Sequence, residues 1–68
     1  MTPIAKLLLK YLQENKDGNN QINLSNKTIA QELGVHAMSI SNCVKQLKEG
    51  NMVVTEYKDN LRRVITLL

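Results

Sequence analysis

Tryptophan and phenylalanine are both absent from this sequence, so a hydrophobic core must be built from aliphatic side chains. The aromatic residues are two tyrosines, Tyr11 and Tyr57. Hydrophobic residues nevertheless make up 43% of the chain, which indicates a folded protein and not a disordered one. Because 68 residues bury only a small core, the sequence predicts a single domain that spans residues 1–68.

Cysteine and histidine are also scarce, with one residue of each type, Cys43 and His36. A lone cysteine cannot form an internal disulfide, and the two residues together are too few for a metal site. We therefore expect a buried structural thiol, no metal and no cofactor. There is no acid/base pair, no nucleophile with a plausible base and no phosphate loop, which predicts that the chain is not an enzyme. No apolar run approaches the roughly 18 residues of a membrane span, and the N-terminus lacks the layout of a signal peptide, so we expect a cytoplasmic protein.

Acidic residues are outnumbered by basic ones, six to nine, which gives a net charge of +3 and a pI near 9.3. This mild excess is compatible with nucleic acid as a partner without requiring it. Three of the cations, Lys58, Arg62 and Arg63, lie close together near the C-terminus.

The N-terminal segment predicts an amphipathic helix over about residues 3–16. Thr2 and Pro3 are typical of a helix start. Gly18 is available for a left-handed residue at the end of the helix. Ala5 and Leu9 fall off the predicted apolar face, which makes them candidates for a dimer contact. That face is formed at 3–4 residue spacing by Ile4, Leu7, Leu8, Tyr11 and Leu12.

The remainder of the chain predicts two further helices and a small sheet. A helix over about 26–33 is capped by Ser25 and ended by Gly34, and a second one covers about 37–49. Residues 21–24 alternate as in a short strand, and residues 52–67 predict a β-hairpin with its turn at 58–61. Two helices joined by a glycine turn, with a hairpin after the second, predict an α+β fold, the winged helix-turn-helix.

The stretch "IAQELGVHAMSISNCVKQLKEGNMVV" resembles bacterial winged-helix regulators, above all the DNA-binding module of the cyclic-AMP receptor superfamily. The modules of plasmid and phage replication initiators are similar, including the "EGN" exit. The resemblance covers about residues 25–67 and implies double-stranded DNA as the partner. It rests on Ala30, Leu33-Gly34-Val35, Ile40-Ser41, Leu47-Lys48 and Asn51-Met52-Val53.

The sequence departs from that family at the start of the recognition helix. Arginines that commonly read guanine are absent, and these positions hold His36, Ala37, Met38 and Asn42. Asn can bond adenine, and an apolar side chain can pack on a thymine methyl, so we expect an A·T-rich site. The predicted base contacts are His36, Ala37, Met38, Ser41, Asn42 and Lys45. The predicted phosphate contacts are Ser25, Asn26, Lys27, Thr28, Ser39, Lys58, Arg62 and Arg63.

The leading hypothesis is sequence-specific DNA binding as a bacterial, phage or plasmid transcriptional regulator that acts as a repressor. Two alternatives stay open at this point. One is the DNA-binding module of a replication initiator, and the other is a protein-interaction module that does not bind DNA. A module with a charge of +3 should bind weakly by itself, so we expect a homodimer or membership of a larger chain.

Overall fold

A computed structural model describes residues 2–58 and 62–68. In chain order, the described residues form α1 (Pro3–Asn15), β1 (Gln21–Ile22), α2 (Asn26–Leu33), α3 (Ala37–Glu49), β2 (Val53–Tyr57) and β3 (Arg63–Leu67). Helices and strands therefore follow the predicted order. The predicted hairpin turn falls mostly on residues 59–61, which lie outside the described part of the chain.

The three strands form one antiparallel sheet with the order β1-β3-β2. The hairpin pairs Val53 with Leu67 and Tyr57 with Arg63, and β1 adds to the other edge of β3 by pairing Ile22 with Ile65. The short predicted strand before α2 is thus confirmed as a partner of the hairpin. The architecture is an α+β fold of three helices and a small sheet, consistent with a winged helix-turn-helix.

The hydrophobic core lies where α1 and α2 pack against α3 and where the sheet closes one side. Its fully buried members are aliphatic, as the composition requires, and the partly exposed Val35 packs against it from the turn between α2 and α3. The largest buried side chains are Leu8, Leu12, Ile22, Ile29, Ile40, Leu47, Val53 and Ile65.

The buried face of α1 differs from the predicted one. Ala5 has 0% exposure and belongs to the core, whereas Leu7 is 42% exposed. The expectation that Ala5 falls off the buried face is therefore wrong. A small side chain at a helix contact allows two helices to approach closely, so alanine suits a buried position on the core-facing side of α1.

The segment after α1 also ends differently from the prediction. Gly18 does not adopt a left-handed conformation; Asn20 does, with φ of 60°. The Asp17 carboxylate instead organises the turn by accepting hydrogen bonds from the backbone N–H of Asn19 at 2.8 Å and of Gln21 at 3.0 Å. An Asp side chain that bonds the backbone two residues on is a common turn device, and here it leads the chain directly into β1.

Candidate nucleic-acid interface

The turn between α2 and α3 is set by Gly34. Its φ of 71° is left-handed, and its N–H and that of Val35 both donate to the carbonyl of Ala30. Glycine occupies this conformation without the cost that a Cβ adds. His36 then returns to an extended conformation as the N-cap of α3, and its side chain makes no cap hydrogen bond. The turn thereby ends α2 and restarts the chain in the new direction of α3.

The helix α3 has one buried face and one exposed face. Ile40, Cys43, Val44 and Leu47 are buried, which anchors the helix to the core and confirms the expected burial of the thiol. The other side carries the residues that the sequence predicts to contact bases, and all of them are exposed in the structure: His36, Ala37, Met38, Ser41, Asn42 and Lys45. Met38 is the most prominent apolar residue among them, at 76% exposure.

The end of α3 fixes the start of the hairpin of β2 and β3, which we call the wing. Asn51 adopts a left-handed conformation with φ of 58°. Its N–H donates to the carbonyl of Lys48 at 3.0 Å, and the N–H of Met52 donates to the carbonyl of Leu47 at 2.9 Å. These two bonds are the Schellman pattern of a helix C-terminus. The chain therefore passes from α3 into β2 within a defined turn.

The N-terminus of α2 is the predicted phosphate-binding element. The Ser25 hydroxyl caps the helix, accepting from the N–H of Thr28 at 3.1 Å and donating to the Thr28 hydroxyl at 3.0 Å. The N–H groups of the first helical turn have no acceptor within the helix and favour an anion in front of it. Lys27 is exposed beside them, whereas Asn26 and Thr28 are partly covered.

Arg63 is placed differently from the other predicted phosphate contacts. It shares a face of β3 with Ile65 and Leu67, which both pack on the core, so its side chain lies on the side of the helices. One guanidinium nitrogen, Nη1, donates to the Asn26 side-chain oxygen, and the other, Nη2, donates to the carbonyl of Leu24 at 2.8 Å. Burial lowers the pKa of Arg63 below its ordinary value, and the nearby Tyr57 opposes that change. The guanidinium thus links the turn end of the wing to the start of α2.

A surface cleft of about 480 Å³ separates the wing from α2 at this link. The wing contributes Tyr57, Arg62 and Arg63 to its walls, and residues 23–26 form the opposite side. Tyr57 pairs with Arg63 across the hairpin and therefore shares its face, but it is 72% exposed, and Lys58 and Arg62 are exposed as well. Four of the predicted phosphate contacts therefore line one cleft, Ser25 and Asn26 on one side and Arg62 and Arg63 on the other.

A second link between elements joins α1 to α2. The phenol of the buried Tyr11 donates a hydrogen bond to the Glu32 carboxylate. Burial, together with the hydrogen bond and the charge of Glu32, raises the pKa of Tyr11 to about 12. Sequence reasoning placed Tyr11 on an apolar face and missed this bond, and no local pattern signals a partner that lies 21 residues away.

The two residues predicted for a dimer contact have different positions. Ala5 has no exposed surface to offer to a second copy. Leu9 is partly exposed and lines a shallow groove of about 340 Å³ together with Met52, Leu67 and Leu68. A dimer contact through Leu9 stays a prediction.

Two further classes of site are not found in the described residues. No helix among residues 2–58 and 62–68 is both long and apolar enough to cross a membrane. Within the same ranges, no group of His, Cys, Asp and Glu side chains could hold a metal ion.

Comparison with known proteins gives one match. No curated protein and no solved structure matches the chain significantly. A family model described as a helix-turn-helix domain matches residues 1–51, which include all three helices and the turn at Gly34. This type of domain suggests DNA binding, with DNA as the partner. The chain belongs to the helix-turn-helix domain family.

Proposed function

We propose that this protein binds double-stranded DNA in a sequence-specific manner by placing α3 in the major groove, without catalysing a reaction. The observation that carries the proposal is the exposed face of α3. It combines hydrogen-bonding, apolar and cationic side chains on a helix whose opposite face is fully anchored in the core. In helix-turn-helix proteins the first residues of the second helix contact base edges.

The chemistry of this face favours A·T-rich DNA. Asn42 can bond adenine N6 and N7 together, and the exposed Met38 and Ala37 can pack on thymine methyl groups. Lys45 is the one cation among the predicted base contacts, and no arginine is among them. Bidentate recognition of guanine by arginine is therefore not available from this set.

The cations around the cleft support binding to the DNA backbone. Arg62 lines the cleft on the side of the wing, and Lys58 on the wing and Lys27 in the first turn of α2 are exposed next to lining residues in sequence. Contacts to phosphates from both sides of a recognition helix fix its register in the groove. Ser39, partly covered in the first turn of α3, is a further predicted phosphate contact.

The size of the domain fits a half-site. The Cα atoms of the described residues extend 28 Å along the longest axis and 22 and 20 Å across it, so a copy with a shorter axis along the duplex fits within the roughly 34 Å between half-sites one helical turn apart. Two copies can therefore occupy successive major grooves on one side of the duplex. We propose that the protein acts as a homodimeric transcriptional regulator of the bacterial type and represses by occluding a promoter.

The test is selection from a random pool of duplex DNA at near-physiological salt, followed by sequencing. We expect enrichment of an A·T-rich motif. An inverted repeat would support the dimeric regulator, whereas tandem direct repeats would favour a replication initiator. A G·C-rich consensus would contradict the proposed contacts of Asn42 and Met38.

Matched variants separate reading by α3 from general attraction between charges. Lys45→Gln and Lys10→Gln each remove one charge, from the exposed face of α3 and from the exposed side of α1 respectively. We expect Lys45→Gln to weaken binding and Lys10→Gln to leave it nearly unchanged. Equal losses, or no enrichment with only salt-sensitive retention, would favour a module that recognises proteins instead of DNA sequence.

A further inference from the structure

We infer that Arg63 is a positioning residue for DNA binding and does not itself contact a phosphate. This inference rests on the proposed function. The guanidinium of Arg63 holds the turn end of the wing against the start of α2. The separation between the wing cations Lys58 and Arg62 and the α2 cation Lys27 is thereby fixed.

The hydrogen bonds of Arg63 carry this inference. Its two terminal nitrogens donate to two acceptors on the segment before and at the start of α2, the carbonyl of Leu24 and the side chain of Asn26. These acceptors are 39 and 37 residues away in sequence. Arginine is suited to this bridging because its planar fork directs separate donors at fixed angles. A lysine carries the same charge but lacks that fork.

The partial burial of Arg63 also supports a positioning role. The side chain is partly covered, and its Nε atom is buried without a hydrogen-bond partner among residues 2–58 and 62–68. Moving the guanidinium outward to a phosphate would break both bonds to the α2 segment. By contrast, the neighbouring Lys58 is exposed. The two residues therefore have different roles: Lys58 is free of these bonds and can reach the DNA backbone, whereas the guanidinium of Arg63 is bonded to Leu24 and Asn26.

The hydrogen bonds of Arg63 join two elements that are far apart in the chain, β3 and the N-terminus of α2. Strand β3 pairs with β2 from Arg63 to Leu67 and with β1 at Ile65 and Thr66, and Arg63 is its first residue. Asn26 is the first residue of α2. A bond between these two positions therefore sets how the wing and the N-terminus of α2 face each other across the cleft.

The experiment uses the enriched DNA site and compares Arg63→Lys, Arg63→Met, Asn26→Ala and the double variant Arg63→Met with Asn26→Ala. Lys10→Met is the control for loss of one charge. Circular dichroism and thermal unfolding identify a temperature at which every variant is folded. Affinity is then measured over a range of salt concentrations at that temperature.

A positioning role predicts that Arg63→Lys and Arg63→Met both weaken binding by roughly tenfold, about the effect of losing one charge-assisted hydrogen bond. Asn26→Ala, which changes no charge, should also weaken binding. The double variant should be no weaker than Arg63→Met alone, because both changes break the same link. Lys10→Met should bind nearly as the unmodified chain does.

A direct phosphate contact predicts a different pattern. Arg63→Lys would then bind almost normally, and Arg63→Met would reduce the slope of log K against log salt by about 0.9 while Asn26→Ala had an independent, additive effect. That pattern would overturn the positioning role and leave DNA binding intact. If the unmodified chain enriched no DNA, both the proposed function and this role of Arg63 would be overturned.

Discussion

Replacement of Met38 by alanine tests whether the apolar tip of α3 reads thymine. The side chain is 76% exposed in the free protein, so nearly all of its apolar surface is available to be buried against DNA. Alanine lacks the three heavy atoms beyond Cβ. At roughly 0.8 kcal/mol for each methylene-sized group, the ceiling for the lost burial is about 2 kcal/mol.

The expected loss of binding free energy is smaller than this ceiling. A flexible methionine loses rotamer freedom when it is immobilised at an interface, at a cost of about 1 kcal/mol. We therefore expect Met38→Ala to weaken binding by about 1 kcal/mol, roughly fivefold. Stability should change by less than about 0.5 kcal/mol, because the residue is exposed. Ile40→Ala, two positions along but with 0% exposure, should instead destabilise the fold by about 2–5 kcal/mol.

The assay is a double-mutant cycle between the protein and the DNA. Deoxyuridine lacks the 5-methyl group of thymidine, so replacing each thymine of the selected site in turn removes one methyl without changing base pairing. At the contacted position, the replacement should weaken binding of the unmodified protein and have little effect on Met38→Ala. If every deoxyuridine replacement weakened both proteins equally, Met38 would not contact a thymine methyl and the reasoning would be refuted.

Further predictions concern the stability of the fold. Because folding raises the pKa of Tyr11 from 10.0 to about 12, its protonated phenol stabilises the folded state fully below pH 10. This stabilisation is lost as the pH rises towards about 12. Urea unfolding should therefore show the unmodified chain about 1 kcal/mol more stable than Tyr11→Phe at neutral pH, with the difference shrinking across that window; a constant difference would contradict the bond to Glu32. Gly34→Ala should cost about 1 kcal/mol, since φ is 71° and no atom lies near the added Cβ, so the backbone alone is strained. Asn51→Gly should raise the free energy of unfolding by about 0.5 kcal/mol, because Asn51 has a positive φ of 58° that glycine adopts without strain. Thermal unfolding in which Gly34→Ala and Asn51→Gly shifted stability in the same direction would refute this account.

Local chemistry was sufficient to predict the bounds of the helix-turn-helix. A serine that can cap α2 and a glycine that can adopt positive φ determine where that helix starts and stops, and both act within a few residues. The buried face of α3 follows from the spacing of its apolar residues, and this determines the exposed face that is proposed to read DNA. These features need no knowledge of distant parts of the chain.

Periodicity alone did not determine the orientation of α1. Apolar residues at Ile4, Leu7 and Leu8 define a stripe, but the core-facing side depends on how closely α1 can approach α3. The structure buries Ala5 with Leu8 and Leu12 and leaves Leu7 exposed. A small residue gives a weak signal in sequence, although it permits the closest packing between helices.

The sequence by itself determined the order of the helices and strands, the turn at Gly34 and the polar face of α3, because caps, turns and periodicity act over a few residues. Only the tertiary structure decided which charged and polar side chains form hydrogen bonds within the protein. Arg63 appears beside Arg62 and Lys58 as one more cation of the wing, yet its place on the core side of β3 directs it to Leu24 and Asn26. Such bonds depend on distances between segments far apart in the chain, and these distances are set only when the core packs.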